Sequence, residues 1–383
     1  YDGLLEPLGQ SQIFAYLKDL SKKNKIFLLT YEKKEFYNIK NREDTEKNIR
    51  MLSNLIWIPI KYHKYPLGVS SLWDISKGVI ISLLLLKKNK IEIIHSRSFV
   101  PGIIASIVKS IIPVKFIFDI RGFWVDEKVN SNRIKRSDLV FKILKQVEKL
   151  LFIHADYIVA LTDSAKKEIK SFPYFKNKNI NCDVIPTCVD TERFYVKKTD
   201  KPLTLGIVGN VSGWALLNPI LDIYTELLNY YPKMLIKILP GNNHKSIEKK
   251  IIHKKINLKQ VEIGFVSYKN MPQKMQTMDI GVFFYKNSFS EKGRSPTKMA
   301  EFLACGIPVI INKGIGDTEE IINKNGIGVV VNGFDKNSIR KASKEIVMLL
   351  ESRDIAKKCR QIAIDEFSID IGVARYQQIY NLL

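Results

Sequence analysis

The chain has 4 cysteines in 383 residues, and no two of them form a CxxC pair. Neither a disulfide framework nor a cysteine-held zinc site is indicated, so Cys182, Cys188, Cys305 and Cys359 read as reduced thiols. His63, His154, His244 and His253 show no metal-ligand spacing. No Asp-x-Asp occurs, so no carboxylate-held divalent metal is expected. The absence of G-x-x-x-x-G-K-[ST] argues against a P-loop. No zinc-finger or RNA-recognition signature is present, so no nucleic-acid partner is expected. The longest apolar run, Val79 to Leu86, is interrupted by Ser82 and followed by Lys87-Lys88. It falls short of the roughly 20 residues that cross a bilayer. No signal-peptide pattern is visible. The chain opens at Tyr1 in loop-like sequence, and a first strand is expected to be missing ahead of it.

Acidic residues are few beside basic ones: 39 Asp+Glu against 61 Lys+Arg, for a net charge of +22. Such an excess favours an anionic partner, whether a phosphorylated substrate, an anionic membrane face or nucleic acid. Lysine is spread along the whole chain, so a solvated basic surface is the plain alternative. Hydrophobic content of 45% and 10% aromatics suit globular folding, and the length suits two domains.

Strand-like apolar runs alternate with helical periodicity throughout. Ile26–Tyr31, Leu55–Ile60, Ile91–Ile94, Lys115–Asp119, Tyr157–Leu161 and Cys182–Pro186 read as strands. Leu205–Val208, Leu235–Leu239, Val261–Phe265, Ile280–Tyr285, Val309–Ile311 and Gly328–Val331 form a second series. Alternating βα units predict parallel sheets with helices on both faces. Phe194 to Leu203 is polar and basic and reads as a linker. The expected division is 1–195, 196–365 and a tail helix over 366–383. Two such domains around a cleft suit a bisubstrate enzyme, with ligands at the carboxyl ends of the strands.

The richest segment is Arg294-Ser-Pro-Thr-Lys-Met-Ala-Glu-Phe-Leu-Ala-Cys-Gly-Ile-Pro-Val-Ile310. It predicts a helix with Ser295 as N-cap and Pro296 at the first helical position, stopped at Gly306 before a buried strand. A helix N-terminus favours a phosphate. Lys298 adds a full positive charge there, and Glu301, one turn on, can accept hydrogen bonds from vicinal hydroxyls. An ordinary capped helix with a surface Lys–Glu pair is the alternative. Other segments follow strands. Phe118-Asp-Ile-Arg-Gly-Phe-Trp-Val-Asp-Glu127 gathers Asp119 and Arg121 beside Trp124, read either as a site or as a salt-bridged loop. His95 and Arg97 also follow a strand. Gly209-Asn-Val-Ser-Gly213, with Asn210 inside it and Trp214 after it, is either a ligand-facing loop or a turn. Gly3 and Gly9 lie in a loop before a helix, where backbone can approach a ligand closely.

Ser295 to Val309 resembles the donor-site segment of the family 4 (group 1) glycosyltransferases. Tyr1–Gln12, His95–Gly102 with Phe118–Glu127, Ala155–Ser164, Val184–Phe194 and the closing helix Phe367–Tyr380 resemble the same family in collinear order. The resemblance implies the GT-B fold: two Rossmann-like domains facing a central cleft, with a C-terminal helix crossing back to the first. It implies transfer from a nucleotide-diphosphate-sugar to a glycan or lipid-linked acceptor, with retention and with neither metal nor cofactor. Glu301 would hold the ribose. Lys298, Arg294, Ser295, Thr297, Gly209, Asn210 and Gly213 would surround the diphosphate-sugar. Gly3, Gly9, His95, Arg97 and Trp124 would line the acceptor side, and Lys298, Asp119 and Arg121 would act in catalysis.

Two departures are visible. The family's paired glutamates are separated by seven residues, which would place the first at Gly293; Glu291 stands two residues earlier. The basic residues that follow the first donor-domain loop are absent, leaving Arg294 and Lys298 to supply the charge. A nucleotide-sugar epimerase or hydrolase, and a non-catalytic glycan-assembly protein, are the competing expectations. The basic excess adds an expected peripheral contact with an anionic membrane at its cytoplasmic face.

Overall fold

The computed structural model describes residues 3–36, 39–66, 68–197, 202–209, 211, 215–240 and 244–383. They form two compact units, one of residues 1–186 with 369–383 and one of 187–368. The boundaries differ from the expected 195 and 365, and the backbone shows why. The Val189 N–H donates to Phe367 O at 2.7 Å, and Val189 bridges Ser368. Arg360 then donates to the carbonyls of Thr191 (2.7 Å), Ala304 (2.9 Å) and Phe194. Residues 187–194 are thereby held within the second unit.

The first unit contains β1 (Ile26–Glu32), β2 (Leu55–Lys61), β3 (Ile93–Arg97), β4 (Lys115–Asp119), β5 (Tyr157–Ala160) and β6 (Cys182–Val184). They form two separate parallel sheets, β1-β2 and β3-β4-β5-β6. Helices Val69–Asn89, Phe99–Ile111 and Leu139–His154 link and cover them. Phe116, Ile117 and Val159 are fully buried, as strands covered on both faces require. The closing helix Ile369–Leu382 belongs to this unit.

The second unit contains β7 (Thr204–Val208), β8 (Leu235–Leu239), β9 (Val261–Ile263), β10 (Ile280–Phe283), β11 (Val309–Asn312) and β12 (Gly328–Val331). All pair in parallel in the order β12-β11-β10-β7-β8-β9, the doubly wound arrangement. One face packs on Met299, Phe302 and Leu303, the other on Ile220, Leu221 and Tyr224. Gly326 closes helix Thr318–Asn325 in the left-handed region at φ 59°, where glycine carries no Cβ penalty.

Several elements depart from the sequence reading. β3 runs to Arg97, so His95 and Arg97 lie in the strand rather than after it. Residues Trp124–Asn130 are helical where a loop was expected, entered through left-handed Arg121 (φ 52°) and Gly122 (φ 124°). The short apolar run belongs to a 21-residue helix, Val69–Asn89, which is long and apolar enough to cross a membrane by length and composition. Its inner face is nonetheless committed to protein: Tyr31 Oη donates to Asp74 O at 2.6 Å, and Asp74 Oδ1 meets His63 Nδ1 at 2.6 Å.

Arg360 serves three carbonyls with one guanidinium. Arg360→Met is expected to cost about 2–3 kcal/mol, because charge-assisted hydrogen bonds are lost and the carbonyls are left unpaired. Urea denaturation would show this as a lowered midpoint with an unchanged m-value.

Candidate functional site

In the second unit, β10 leads through a 3-10 turn, Phe289–Gly293, into helix Thr297–Ala304. The cap differs from expectation. Pro296 occupies the N-cap position, no side chain caps the helix, and Ser295 is turned to Thr187. Thr187 N donates to Ser295 Oγ at 3.1 Å and Thr187 Oγ1 to Ser295 O at 2.8 Å. The helix starts at half-buried Thr297, and Met299 N donates to Pro296 O at 2.9 Å.

Lys298 and Glu301 follow, both half-buried. Neither makes an ion pair or hydrogen bond among the described residues. Lys298 Nζ lies 5.7 Å from the ring centres of both Phe283 and Tyr285. It also lies 3.6 Å from where a Cβ on Gly209 would stand, and Gly209 has φ 81° at the carboxyl end of β7. Burial pushes the Lys298 ammonium down to about 8, against Glu301, with Arg294 adding to the depression. Burial lifts the Glu301 carboxyl to about 7, opposed by Lys298 and Arg193. Both groups lose more by desolvation than the neighbouring charges restore. That state suits a site completed by a ligand.

Arg294 and Glu291 are already spent on each other. Glu291 is 1% exposed, ion-paired to Arg294 Nε and accepting from Arg294 Nη2 at 3.1 Å. The Arg294 guanidinium lies 4.9 Å from the Tyr285 ring centre. Arg193 escaped the sequence reading. It donates to Tyr268 O at 2.8 Å, lies 4.1 Å over the Tyr268 ring and adds positive potential at Glu301. Its place in Thr191-Glu-Arg-Phe194 was the available signal. Asn210, Gly213 and Trp214 lie outside the described residues.

In the first unit, a glycine loop and a polar cluster occupy the carboxyl ends of the strands. Glu32, also missed by the sequence reading, accepts from Leu4 N at 2.7 Å and Leu5 N at 3.1 Å. A Cβ on Gly9 would lie 2.1 Å from Gly3 O, so the loop closes only with glycine at Gly9. Nearby, Arg97 donates to Gln12 O at 2.8 Å. Asp119 is 1% exposed and accepts from Tyr376 Oη at 2.8 Å, while His95 Nδ1 meets Tyr380 Oη at 2.8 Å. Burial alone would raise Asp119, but Arg121, 3.7 Å away, with His95 and Arg97, holds it at about 2. Asp119 and His95 therefore secure the closing helix. Trp124 stacks on Phe99 at 4.5 Å under the Lys128 ammonium.

Among the described residues no group of three or more His, Cys, Asp or Glu gathers in a metal-holding arrangement. A helix start without a side-chain cap, a desolvated lysine and a carboxylate one turn on come together on a parallel α/β sheet. Residues 189–365 match the family described as glycosyl transferases group 1. Solved structures share the two-unit GT-B fold. HepE from Anabaena, crystallised with UDP and glucose, aligns at TM-score 0.70 and 13% identity over 100% of this chain and 98% of its own. Sucrose-phosphate synthase from Thermosynechococcus elongatus aligns at 0.68 and 13% identity, covering 94% and 99%. A glycosyltransferase from Rickettsia africae aligns at 0.68 and 15% identity, covering 96% and 93%. No match was found among curated proteins.

The sign of the Glu301 linkage is definite. Its folded pKa, about 7, stands above the ordinary 4.5. The folded state holds a proton that the unfolded state releases, so this group's contribution is present at low pH and is lost as pH rises through about 7. Urea midpoints of wild type and Glu301→Gln, taken from pH 4 to 8, are expected to diverge upward through that window. Parallel curves would remove the desolvated carboxylate from the account.

Proposed function

We propose that this chain transfers a glycosyl group from a nucleoside-diphosphate-sugar held on its second unit, with retention and without a required metal, to a glycan or lipid-linked acceptor in cell-surface glycan assembly. The observation that carries the reading is the pair Lys298 and Glu301, desolvated and without a side-chain partner among the described residues, at a helix N-terminus that no side chain among them caps. Lys298 and the helix amides neutralise the diphosphate, and Glu301 accepts from the ribose hydroxyls. UDP and UDP-glucose in the HepE structures are in keeping with a uridine nucleotide. As the sugar C1–O bond breaks, negative charge collects on the diphosphate beside Lys298. The acceptor hydroxyl bonds to C1 and its proton passes to the leaving diphosphate. Positioning and electrostatics carry such a step without a protein nucleophile. The loop at Gly3 and Gly9, with Arg97, Arg121 and Trp124, offers the acceptor surface of the first unit.

In EDTA, one of UDP, GDP, ADP or CMP at about a hundred times its Kd should add roughly 2.7 kcal/mol and raise Tm by several degrees. The shift should vanish in Glu301→Ala and weaken above about pH 8, where free Lys298 loses its proton. Lys298→Met should lower kcat by about 10²–10³-fold. A nucleotide response that requires added divalent metal would overturn the metal-independent reading.

The acceptor side favours a membrane surface. Helix Val69–Asn89 turns Leu72 (67% exposed), Trp73, Ile80 and Leu84 to solvent, flanked by Lys77, Lys87 and Lys88. An apolar stripe with an interfacial Trp and a basic margin matches an anionic bilayer. This chain is expected to float with phosphatidylcholine vesicles containing phosphatidylglycerol, less with pure phosphatidylcholine, and not after Leu72→Ser, Trp73→Ser and Ile80→Ser together. A triple variant that floats equally well would dismiss this face; wild type that dimerises through it would assign it to a second copy.

A further inference from the structure

His63 stands two residues past the end of β2, at the carboxyl edge of its sheet. Tyr62 N still donates to Glu32 O at 3.1 Å, so the chain has only just left the ladder. The Glu32 carboxylate holds the Leu4 and Leu5 amides, so this is the edge that carries the glycine loop. Ligands of open parallel sheets bind outside that edge. Two bonds fix the His63 ring. Its own N–H donates to Asp74 Oδ2 at 3.0 Å, and its Nδ1 meets Asp74 Oδ1 at 2.6 Å. Asp74 is fully buried, and a hydrogen bond out of water is electrostatically stronger. Asp74 is fixed in turn: Tyr31 Oη donates to its carbonyl at 2.6 Å. A Cβ on Gly78, one helical turn further on, would lie 2.3 Å from that hydroxyl oxygen, so glycine there leaves the room that Tyr31 needs. β1, β2 and helix Val69–Asn89 together set the orientation of one imidazole.

The other ring nitrogen is left over. A carboxylate only accepts, so Nδ1 carries the hydrogen and the neutral ring presents a lone pair at Nε2. Nε2 has no hydrogen-bond partner among the described residues, and the side chain is 33% exposed. A buried Asp that sets the tautomer and the aim of a His is the arrangement by which enzymes hold an imidazole acceptor toward a hydroxyl. In this form Nε2 fits a ligand that donates. An ionised phosphate only accepts and does not fit it.

We propose that His63 is a positioning residue of the first unit, whose Nε2 accepts a hydrogen bond from a hydroxyl of a carbohydrate acceptor. The carbohydrate class of the ligand rests on the transferase reading, while the aimed and unmatched Nε2 rests on geometry alone. In the transfer step the reacting hydroxyl gives its proton to the leaving diphosphate. His63 therefore holds a different hydroxyl of the same sugar and takes no proton. No bond is made or broken at the imidazole, and its contribution is orientation. Asp74, Tyr31 and Gly78 act through it.

The chain has 5 histidines, so isotope labelling of the imidazole nitrogens lets NMR follow one ring, identified as the one missing from His63→Asn. The probes are the methyl glycosides of glucose, galactose, mannose and N-acetylglucosamine, without nucleotide. In the unsubstituted protein Nδ1 should carry the hydrogen, and Nε2 should shift saturably with at least one glycoside. His63→Asn keeps an amide N–H near the Nδ1 position and removes Nε2. It should retain the Tm and bind that glycoside at least about tenfold more weakly by ligand-observed NMR. His63→Gln, with an amide oxygen that reaches the Nε2 position, should recover part of the loss. A purely structural histidine gives the opposite order, with Asn equal to His and Gln worse. That order, a hydrogen on Nε2 in place of Nδ1, or no response to any of the glycosides would overturn the proposal. The nucleotide-induced rise in Tm is read separately. Its absence with glycoside binding intact removes the transfer reaction and leaves the sugar site, and the converse removes the sugar site alone.

Discussion

A parallel strand has two edges to hydrogen-bond and two faces to cover, and both units are organised by that requirement. At the centre of the second unit it is met: β7 sits mid-sheet with every residue buried, and helices lie on both faces. Right-handed βα connections then bring the turns to one edge of the sheet. Gly209 and the segment leading to Lys298 reach the site for this reason. In the first unit β4 meets it between β3 and β5, with residues 116–119 all buried, whereas β1 pairs with β2 alone among the described residues and its residues 26–29 are half-buried.

Charge follows the same logic of satisfaction. Asp119 is buried, but Arg121, His95 and Tyr376 surround it, and its carboxyl stays ionised. Glu291 is buried and answered by Arg294. Lys298 and Glu301 differ because desolvation outweighs what the neighbouring charges restore, and neither side chain has a hydrogen-bond or ion-pair partner among the described residues. A desolvated charge without a partner is costly unless a ligand completes it. That contrast, rather than any count of charged residues, separates a binding position from a structural ion pair. It also divides the two arginine-glutamate and lysine-glutamate pairs that lie within a dozen residues of one another.

Much of the molecule was legible in one dimension. β4, β8 and β12 were readable to the residue, since their apolar runs are bounded by charge or glycine. Helix Thr297–Ala304 was readable because Gly306 and Pro308 punctuate it, and Lys298 and Glu301 stood out by helical spacing alone. Its cap was misread: Ser295 has the right chemistry for capping, but Thr187, 108 residues away in sequence, takes its hydroxyl. Helix Trp124–Asn130 was invisible because it starts from left-handed Arg121 and Gly122, a conformation that composition does not announce. Glu32 and Arg193 look like surface charges in sequence. Their roles arise from the loop amides and the Tyr268 ring that folding brings to them.

The sequence by itself determined the fold class, the parallel sheets and the helix that presents Lys298 and Glu301. Those features rest on periodicity and local backbone preference, which nearby residues control. Tertiary structure decided which charges are neutralised. It turned Asp119 into the anchor of Tyr376 and Arg294 into the partner of Glu291, while leaving Lys298 and Glu301 half-buried without such a partner among the described residues. Desolvation and long-range pairing depend on what packs around a group in three dimensions, and no local pattern of residues specifies that.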